Sequence, residues 1–388
     1  MPRPRTDTTG AIVGAATVIT PAGPLTDTEV VVEDGRITEV RPALGPVPDV
    51  VLVPGFVDLQ VNGIGAVDVA GATAAGWTAL DEALLAQGVT TWCPTIITAP
   101  LDALEASLAG VAAAARRDAG ARPEIAGAHL EGPFLAVHGA HRGEFVRAVV
   151  DRRWLESLDD VLRIVTLAPE LPGAIDAVHA LHDRGVLASL GHSACTAEVA
   201  FEAIEAGARL VTHLGNAMGP LHHRAPGLLG AALADDRVSV SVIADLVHTH
   251  PVFVRTAFAA KSAQGVALVT DAVATSAGST VAGSAVAGSA GPPRLADGTL
   301  AGSVLTMDGA VSNVVSHCDV ALTDAVAAAS TTPARLLGLD DRGALAPGRR
   351  ADLVALEEKG DGRWGVASVW VAGTPAWSAP PESGSGSV

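Results

Sequence analysis

The stretch GAHLEGPFLAVHGAH, Gly127 to His141, sets one carboxylate, Glu131, between a histidine and a Gly-Pro turn, with two more histidines close behind. The run before Glu131 is apolar, so the acid falls where a buried strand gives way to a loop. A carboxylate in that position is either an ordinary loop-edge acid or a group that holds a cation. Six other apolar runs end in the same manner. Their terminal polar residues are Asp58 with Gln60 and Asn62, Glu170, His192, His213 with Asn216, Asp245 with His248, and Asp271. A lone strand-end histidine is more often a hydrogen-bonded structural residue than a ligand. Two imidazoles and a carboxylate on three strand ends, however, form a standard donor set for catalytic zinc.

Other sources of chemistry are weaker. Ser193 follows His192 in GHSA, but no G-x-S-x-G elbow surrounds it. The glycines of AGSTVAGSAVAGSAG lack the strand, lysine and helix of a phosphate-cradling loop, and this run reads as a flexible surface loop. His179 and His182 sit one helical turn apart before a glycine stop and read as solvated helix residues. His317 and Cys318 read as helix packing residues, and His222 and His223 as loop residues without an assigned role.

Elements of a particular kind must bring such distant residues together. The middle of the chain alternates unbroken β-type runs with alanine-rich helical stretches such as LDALEASLAGVAAAARR and AEVAFEAIEAGA. Eight runs are strand-like: VPGFVDLQVNG, GVTTWCPTII, IAGAHLEG, LRIVTLAPE, GVLASLGHS, RLVTHLGNA, VSVSVIADLVH and GVALVTDAV. Runs without polar alternation suit strands buried on both faces. Eight β–α units predict an α/β fold, a (β/α)₈ barrel of the TIM type, more readily than an open doubly wound sheet. In such a barrel every strand C-terminus opens onto one face, so residues from Glu131 to Asp271 would converge on one pocket. Short strands at both ends, with a turn at Asp34-Gly35, predict a small β-sandwich domain over residues 1–53 and 345–388. Residues 54–344 are then the barrel.

Composition narrows the partners. A net charge of −17 argues against nucleic acid and against an anionic membrane surface. Three dispersed cysteines, Cys93, Cys195 and Cys318, argue against a disulfide framework and for the cytoplasm. No run reads as a membrane span, and the N-terminal stretch lacks the apolar core of a secretory signal. Both ends read as frayed.

The motifs VPGFVDLQVNG, HLEGPF, TLAPE, GHS, THLGNAM, VTDA and GTLAGS, in this order, resemble the N-acetylglucosamine-6-phosphate deacetylases of the amidohydrolase superfamily. GHS alone is uninformative, whereas HLEGPF together with THLGNAM is highly specific. The resemblance spans nearly the whole chain. It implies a divalent metal, usually zinc, on Glu131, His192 and His213, with Fe²⁺, Mn²⁺ and Co²⁺ as alternatives. It puts the catalytic aspartate at Asp271 and, with it, makes His141 a candidate to polarise the acetyl oxygen. Substrate contacts carry over to Ala140, His141, Asn216, Ala217, Arg224, His248, Leu300, Ala301 and Gly302. A homodimer is implied in which Arg224 and His248 can reach the neighbouring site. The substrate is a phosphorylated amino sugar, and an N-acetylgalactosamine-6-phosphate deacetylase is the nearest alternative.

Two departures matter. Many amidohydrolases carry His-x-His after the first strand and hold a second metal there; this chain has Gln60-Val61-Asn62. Neutral amides are far poorer zinc ligands than imidazole, which predicts one metal per subunit. Neither lysine, Lys261 or Lys359, lies where a bridging carbamylated lysine would have to be.

Overall fold

The protein is described by a computed structural model covering residues 10–118, 120–275, 280–281, 284–285, 292–360 and 362–380. Most of both expected frayed ends, and much of the glycine-serine run after Asp271, lie outside the described residues. A short antiparallel pair in that run, Thr280–Val281 with Ser284–Ala285, is described.

The N-terminal strands are β1 (Ala11–Thr20), β2 (Gly23–Glu33), β3 (Arg36–Pro42) and β4 (Val51–Pro54). The barrel strands follow: β5 (Phe56–Val61), β6 (Val89–Ile97), β7 (Ala128–Glu131), β8 (Leu162–Leu167), β9 (Leu187–Leu190), β10 (Leu210–Val211), β11 (Ser239–Val242) and β12 (Val266–Leu268). Strands β13 (Leu353–Glu358), β14 (Trp364–Val371) and β15 (Thr374–Ser378) close the chain. Every run read as a barrel strand contains one.

The terminal strands pair as one seven-stranded sheet in the order β15-β14-β13-β4-β1-β2-β3, so both ends of the chain build it. It has its own apolar cluster, including Val18, Val30, Ile37, Leu52 and Leu353. The expected turn at Asp34-Gly35 joins β2 to β3, with both residues at positive φ.

Strands β5 to β12 are parallel neighbours in sequence order. Val61 also bridges Ala272 in parallel, which brings the chain after β12 back to β5. The strands are buried on both faces, which accounts for their unalternated sequences. Helices cover the outside. In α1 (Ala197–Glu205) the residues Ala197, Ala200, Ala203 and Ile204 are buried on one stripe, and Thr196 caps the first turn. Among the described residues no helix is long and apolar enough to cross a membrane.

The closing seam is polar. Asp58, on β5, accepts hydrogen bonds from Thr270 Oγ1 (2.6 Å), Thr270 N (3.3 Å) and Gln60 N (3.1 Å). Asp271 N donates to Gln60 O (2.9 Å) and Asn62 N to Ala272 O (2.8 Å). Burial pushes the Asp58 carboxyl up to about 7, against the opposing pull of Thr270. A carboxyl raised in the folded state stabilises the fold fully below about pH 4 and loses that contribution as pH rises through 7. Asp58→Asn should therefore flatten the pH dependence of the urea midpoint across this interval. An unchanged slope would mean that Asp58 is not the group responsible.

Candidate active site

Glu131 ends β7, and its carboxylate meets two imidazoles delivered by the ends of β9 and β10. Glu131 Oε1 lies 2.9 Å from His213 Nε2 and 3.2 Å from His192 Nε2, and the two Nε2 atoms are 3.2 Å apart. All three residues are buried. His192 Nδ1 donates to Val137 O (2.8 Å), which can only accept, so the Nε2 atom of the neutral ring presents a lone pair. Three electron-rich atoms thus converge on one point, and a cation satisfies all of them at once. The spacing also fits. Two ligands about 2.0–2.1 Å from a tetrahedral ion stand roughly 3.3 Å apart.

The electrostatics agree. Burial opposes the charge on Glu131, yet contacts with His192 and His213 hold its carboxyl well below the usual range. Burial lowers His213, but Glu131 outweighs it and the net shift is upward. The two opposed shifts are those of a carboxylate and an imidazole held against each other in a buried place.

Asp271 stands opposite. Its Oδ1 accepts from Asn62 Nδ2 (2.7 Å) and Gln60 Nε2 (3.1 Å), while Oδ2 has no hydrogen-bond partner among the described residues. Burial and the charge of Glu131 push its carboxyl up to about 6; a divalent ion beside it acts in the opposite sense. The Gln60-Val61-Asn62 stretch therefore orients the aspartate by donating hydrogen bonds to it.

His141 sits against His192, with ring centroids 4.5 Å apart, and its Nε2 is 3.8 Å from Glu131 Oε2. Its Nδ1 is 2.8 Å from Thr98 Oγ1. Burial, then the neighbouring His192, pushes its pKa down to about 3, so the ring is neutral. Its Nε2 faces Glu131, and the Thr98 hydroxyl also lies 3.5 Å from Glu131 O.

The backbone at these positions is unusual. His192, His213, Ala217 and Asp271 all have positive φ, between 34° and 51°. Non-glycine residues in that region cost on the order of 1–3 kcal/mol each and cluster at functional sites.

Beneath the site the barrel interior is polar but uncharged. His129 Nδ1 donates to Leu59 O (3.0 Å), so its Nε2 accepts from Thr166 Oγ1 (2.8 Å). Thr212 and Ser189 extend the chain at 2.7 and 2.5 Å. Burial pushes His129 down to about 4.

These groups open into a cavity of about 350 Å³. Most of the expected residues line it: Glu131, Ala140, His141, His192, His213, Asn216, Ala217, His248, Asp271, Leu300 and Gly302. Gly302 has φ +66°, and a Cβ there would fall 2.3 Å from Val273 Cγ1. Two expected residues are elsewhere. Ala301 is buried against Val273 outside the lining, and Arg224 is exposed, with Nη1 2.8 Å from His223 Nε2. Of the two residues expected to reach a neighbour's site, His248 lines its own chain's cavity. Its Nδ1 is 2.7 Å from Asp245 Oδ2.

The convergence of every polar strand end was too broad an expectation. Glu170 instead accepts from Ser193 Oγ (2.7 Å) and Ala194 N (2.9 Å), bracing the loop after His192. His317 is exposed, not packed, because the helix Met307–Cys318 buries its other face. His179 and His182 are exposed on a helix, as expected. The sequence reading missed Arg294, Thr299, Ile97 and Ile243, which also line the cavity. The turn residues Asp297-Gly298 were the available signal, since a hairpin there sets Arg294 opposite Leu300.

Residues 51–376 match the model of the Amidohydrolase family. The N-acetylgalactosamine-6-phosphate deacetylase of Escherichia coli O157:H7 is 35% identical over 376 residues, covering 93% of this chain and 98% of that protein. The N-acetylglucosamine-6-phosphate deacetylase of Homo sapiens is 34% identical over 369 residues, 89% of this chain and 88% of its own. Among solved structures, a variant of the Mycobacterium smegmatis N-acetyl-D-glucosamine-6-phosphate deacetylase in complex with N-acetyl-D-glucosamine-6-phosphate has a TM-score of 0.86. It is 33% identical and covers 95% of this chain and 99% of that one. With its parallel barrel and its buried Glu–His–His cluster, this chain belongs to the amidohydrolase family, beside the N-acetylated amino-sugar-phosphate deacetylases.

Proposed function

We propose that this enzyme hydrolyses the acetamide of N-acetyl-D-glucosamine 6-phosphate to D-glucosamine 6-phosphate and acetate, in amino-sugar catabolism or recycling. The observation that carries the reading is the Glu131–His192–His213 triangle sharing one cavity with Asp271, whose Oδ2 has no hydrogen-bond partner among the described residues. The division into a terminal β domain, 1–53 with 345–388, and a catalytic barrel, 54–344, belongs to the same proposal.

Glu131, His192 and His213 hold one divalent ion, zinc before Fe²⁺, Mn²⁺ or Co²⁺. Such an ion supplies Lewis acidity toward the acetamide carbonyl and the attacking water. Asp271 Oδ2 takes a proton from that water and returns it to the departing amine nitrogen as the C–N bond breaks. Asn62 and Gln60 keep Oδ1 engaged, so the proton traffic runs through the other oxygen. His141, neutral and tied to Thr98, donates through Nε2 to the acetyl oxygen. The substrate contacts are Ala140, Asn216, Ala217, His248 and the stretch Leu300 to Gly302. Arg224, with its planar donor fork, reaches the phosphate of a second copy in a homodimer. Three buried free thiols are consistent with the cytoplasm.

The 35% identical relative from Escherichia coli favours a second reading, hydrolysis of the galactosamine epimer. Acetate release from both N-acetylated amino sugars, each with and without a 6-phosphate, separates these readings. We expect the phosphorylated glucosamine derivative to give the highest kcat/KM. Turnover of none of the four would end the proposal.

Three further outcomes are expected. Metal analysis of purified protein should find about one divalent ion per chain, and His192→Ala should lower that content; metal-free protein with chelator-resistant activity contradicts the site. Asp271→Asn should cut kcat by about 10²–10⁴ with metal content intact, whereas loss of the metal would make Asp271 chiefly a ligand. Arg224→Ala should raise KM for the phosphosugar more than for its unphosphorylated counterpart, and equal effects would remove its phosphate role.

A further inference from the structure

The proposed substrate carries a phosphate dianion, yet the described lining of the cavity includes two acids, Glu131 and Asp271. One lining side chain is a permanent cation, Arg294. Within one chain Arg224 stands outside the cavity, so it does not balance these charges there.

Arg294 is held by a small hairpin rather than an open loop. Arg294 and Leu300 form an antiparallel bridge. Leu295 N donates to Thr299 O (2.9 Å), Gly298 N to Leu295 O (2.9 Å) and Ala301 N to Pro293 O (3.0 Å). Asp297 Oδ1 accepts from Thr299 N (2.9 Å), tightening the turn. The guanidinium is itself fixed: Nη1 donates to Gly298 O (2.7 Å), and the rest of its donor fork has no partner among the described residues. The far end of the hairpin is anchored beside the catalytic aspartate, with Ser303 N donating to Asp271 O (2.8 Å) and Val273 N to Ser303 O (3.0 Å). One short element thus ties the cavity's guanidinium to the backbone of the proton carrier.

We propose that Arg294 binds the phosphate of the substrate from within the same chain and sets the preference for phosphorylated over unphosphorylated amino sugar. This rests on the proposed deacetylation of a phosphosugar. A guanidinium held at one nitrogen keeps its remaining N–H groups in a fixed plane, the geometry that phosphate oxygens accept best. The substrate is then gripped at its phosphate end while Asp271 works at the acetamide, and both grips share one backbone anchor.

The test uses the full-length, metal-loaded enzyme. Arg294→Ala should raise KM for N-acetylglucosamine 6-phosphate about ten- to hundredfold and leave KM for N-acetylglucosamine within about twofold, with kcat on both little changed. Arg294→Lys, which keeps the charge and loses the fork, should fall between parent and alanine variant. Equal changes on both sugars, or none on the phosphosugar, would overturn the assignment. Calorimetric titration with inorganic phosphate separates this inference from the reading beneath it. If the parent turns over neither sugar, phosphate binding that weakens in Arg294→Ala still supports Arg294, and unchanged binding refutes it. Arg294 is exposed, so its replacement leaves the core untouched.

Discussion

The seam that closes the barrel governs everything above it. Asp58 clamps Thr270 through its side chain, and the backbones of Gln60 and Asn62 clamp Asp271 and Ala272. The same few residues then act upward, where the amides of Gln60 and Asn62 grip the Asp271 carboxylate. Closure of the barrel and the setting of the Asp271 carboxylate are thus one hydrogen-bond system. A shift at the seam would move the Asp271 carboxylate relative to the histidines on the other side of the barrel.

Ionisable side chains gather at one level of the barrel, the strand ends that line the cavity. Below it, His129, Thr166, Thr212 and Ser189 form one hydrogen-bonded chain that ends on Leu59 O. A satisfied neutral network of this kind stiffens a core at little cost, whereas a buried unpaired ion is expensive. Glu131, His192, His213 and Asp271 stand on top of that network, at the strand ends where a barrel opens to solvent. Their mutual perturbation follows from proximity in a buried place, and Glu131, His192 and His213 there could hold a metal ion.

The supporting loops are fixed in both directions. His192 O accepts from Ala136 N (3.0 Å) and Val137 N (2.8 Å), while Val137 O accepts from the His192 ring. That exchange fixes the tautomer and holds the segment bearing His141 beside the Glu131–His192–His213 triangle. Left-handed backbone at His192, His213 and Asp271 turns each side chain from the strand direction into the cavity. Such conformations persist only when surrounding contacts over-determine them, and here hydrogen bonds from neighbouring strand ends do so.

Much of this was legible in the residues alone. Buried strands without polar alternation, separated by alanine-rich helices, imply a parallel sheet covered on both faces, and eight such β–α units favour a closed barrel over an open doubly wound sheet. Polar residues at strand ends then mark the functional face, and the family resemblance carried by HLEGPF, GHS and THLGNAM points to Glu131, His192 and His213 among them. Three things were decided only by tertiary structure. Glu170 and Asp58 carry the same strand-end signature as the site residues, but one braces a loop and the other locks the seam. Arg294 lies beside an Asp-Gly turn with no catalytic motif of its own, and it lines the cavity in a hairpin anchored at Asp271. Arg224, chosen by motif, lies outside its own chain's cavity. Sequence pattern determines which face a residue belongs to, since that follows from local periodicity. The direction a side chain takes at a strand end depends on partners far away along the chain, and only the closed barrel supplies them.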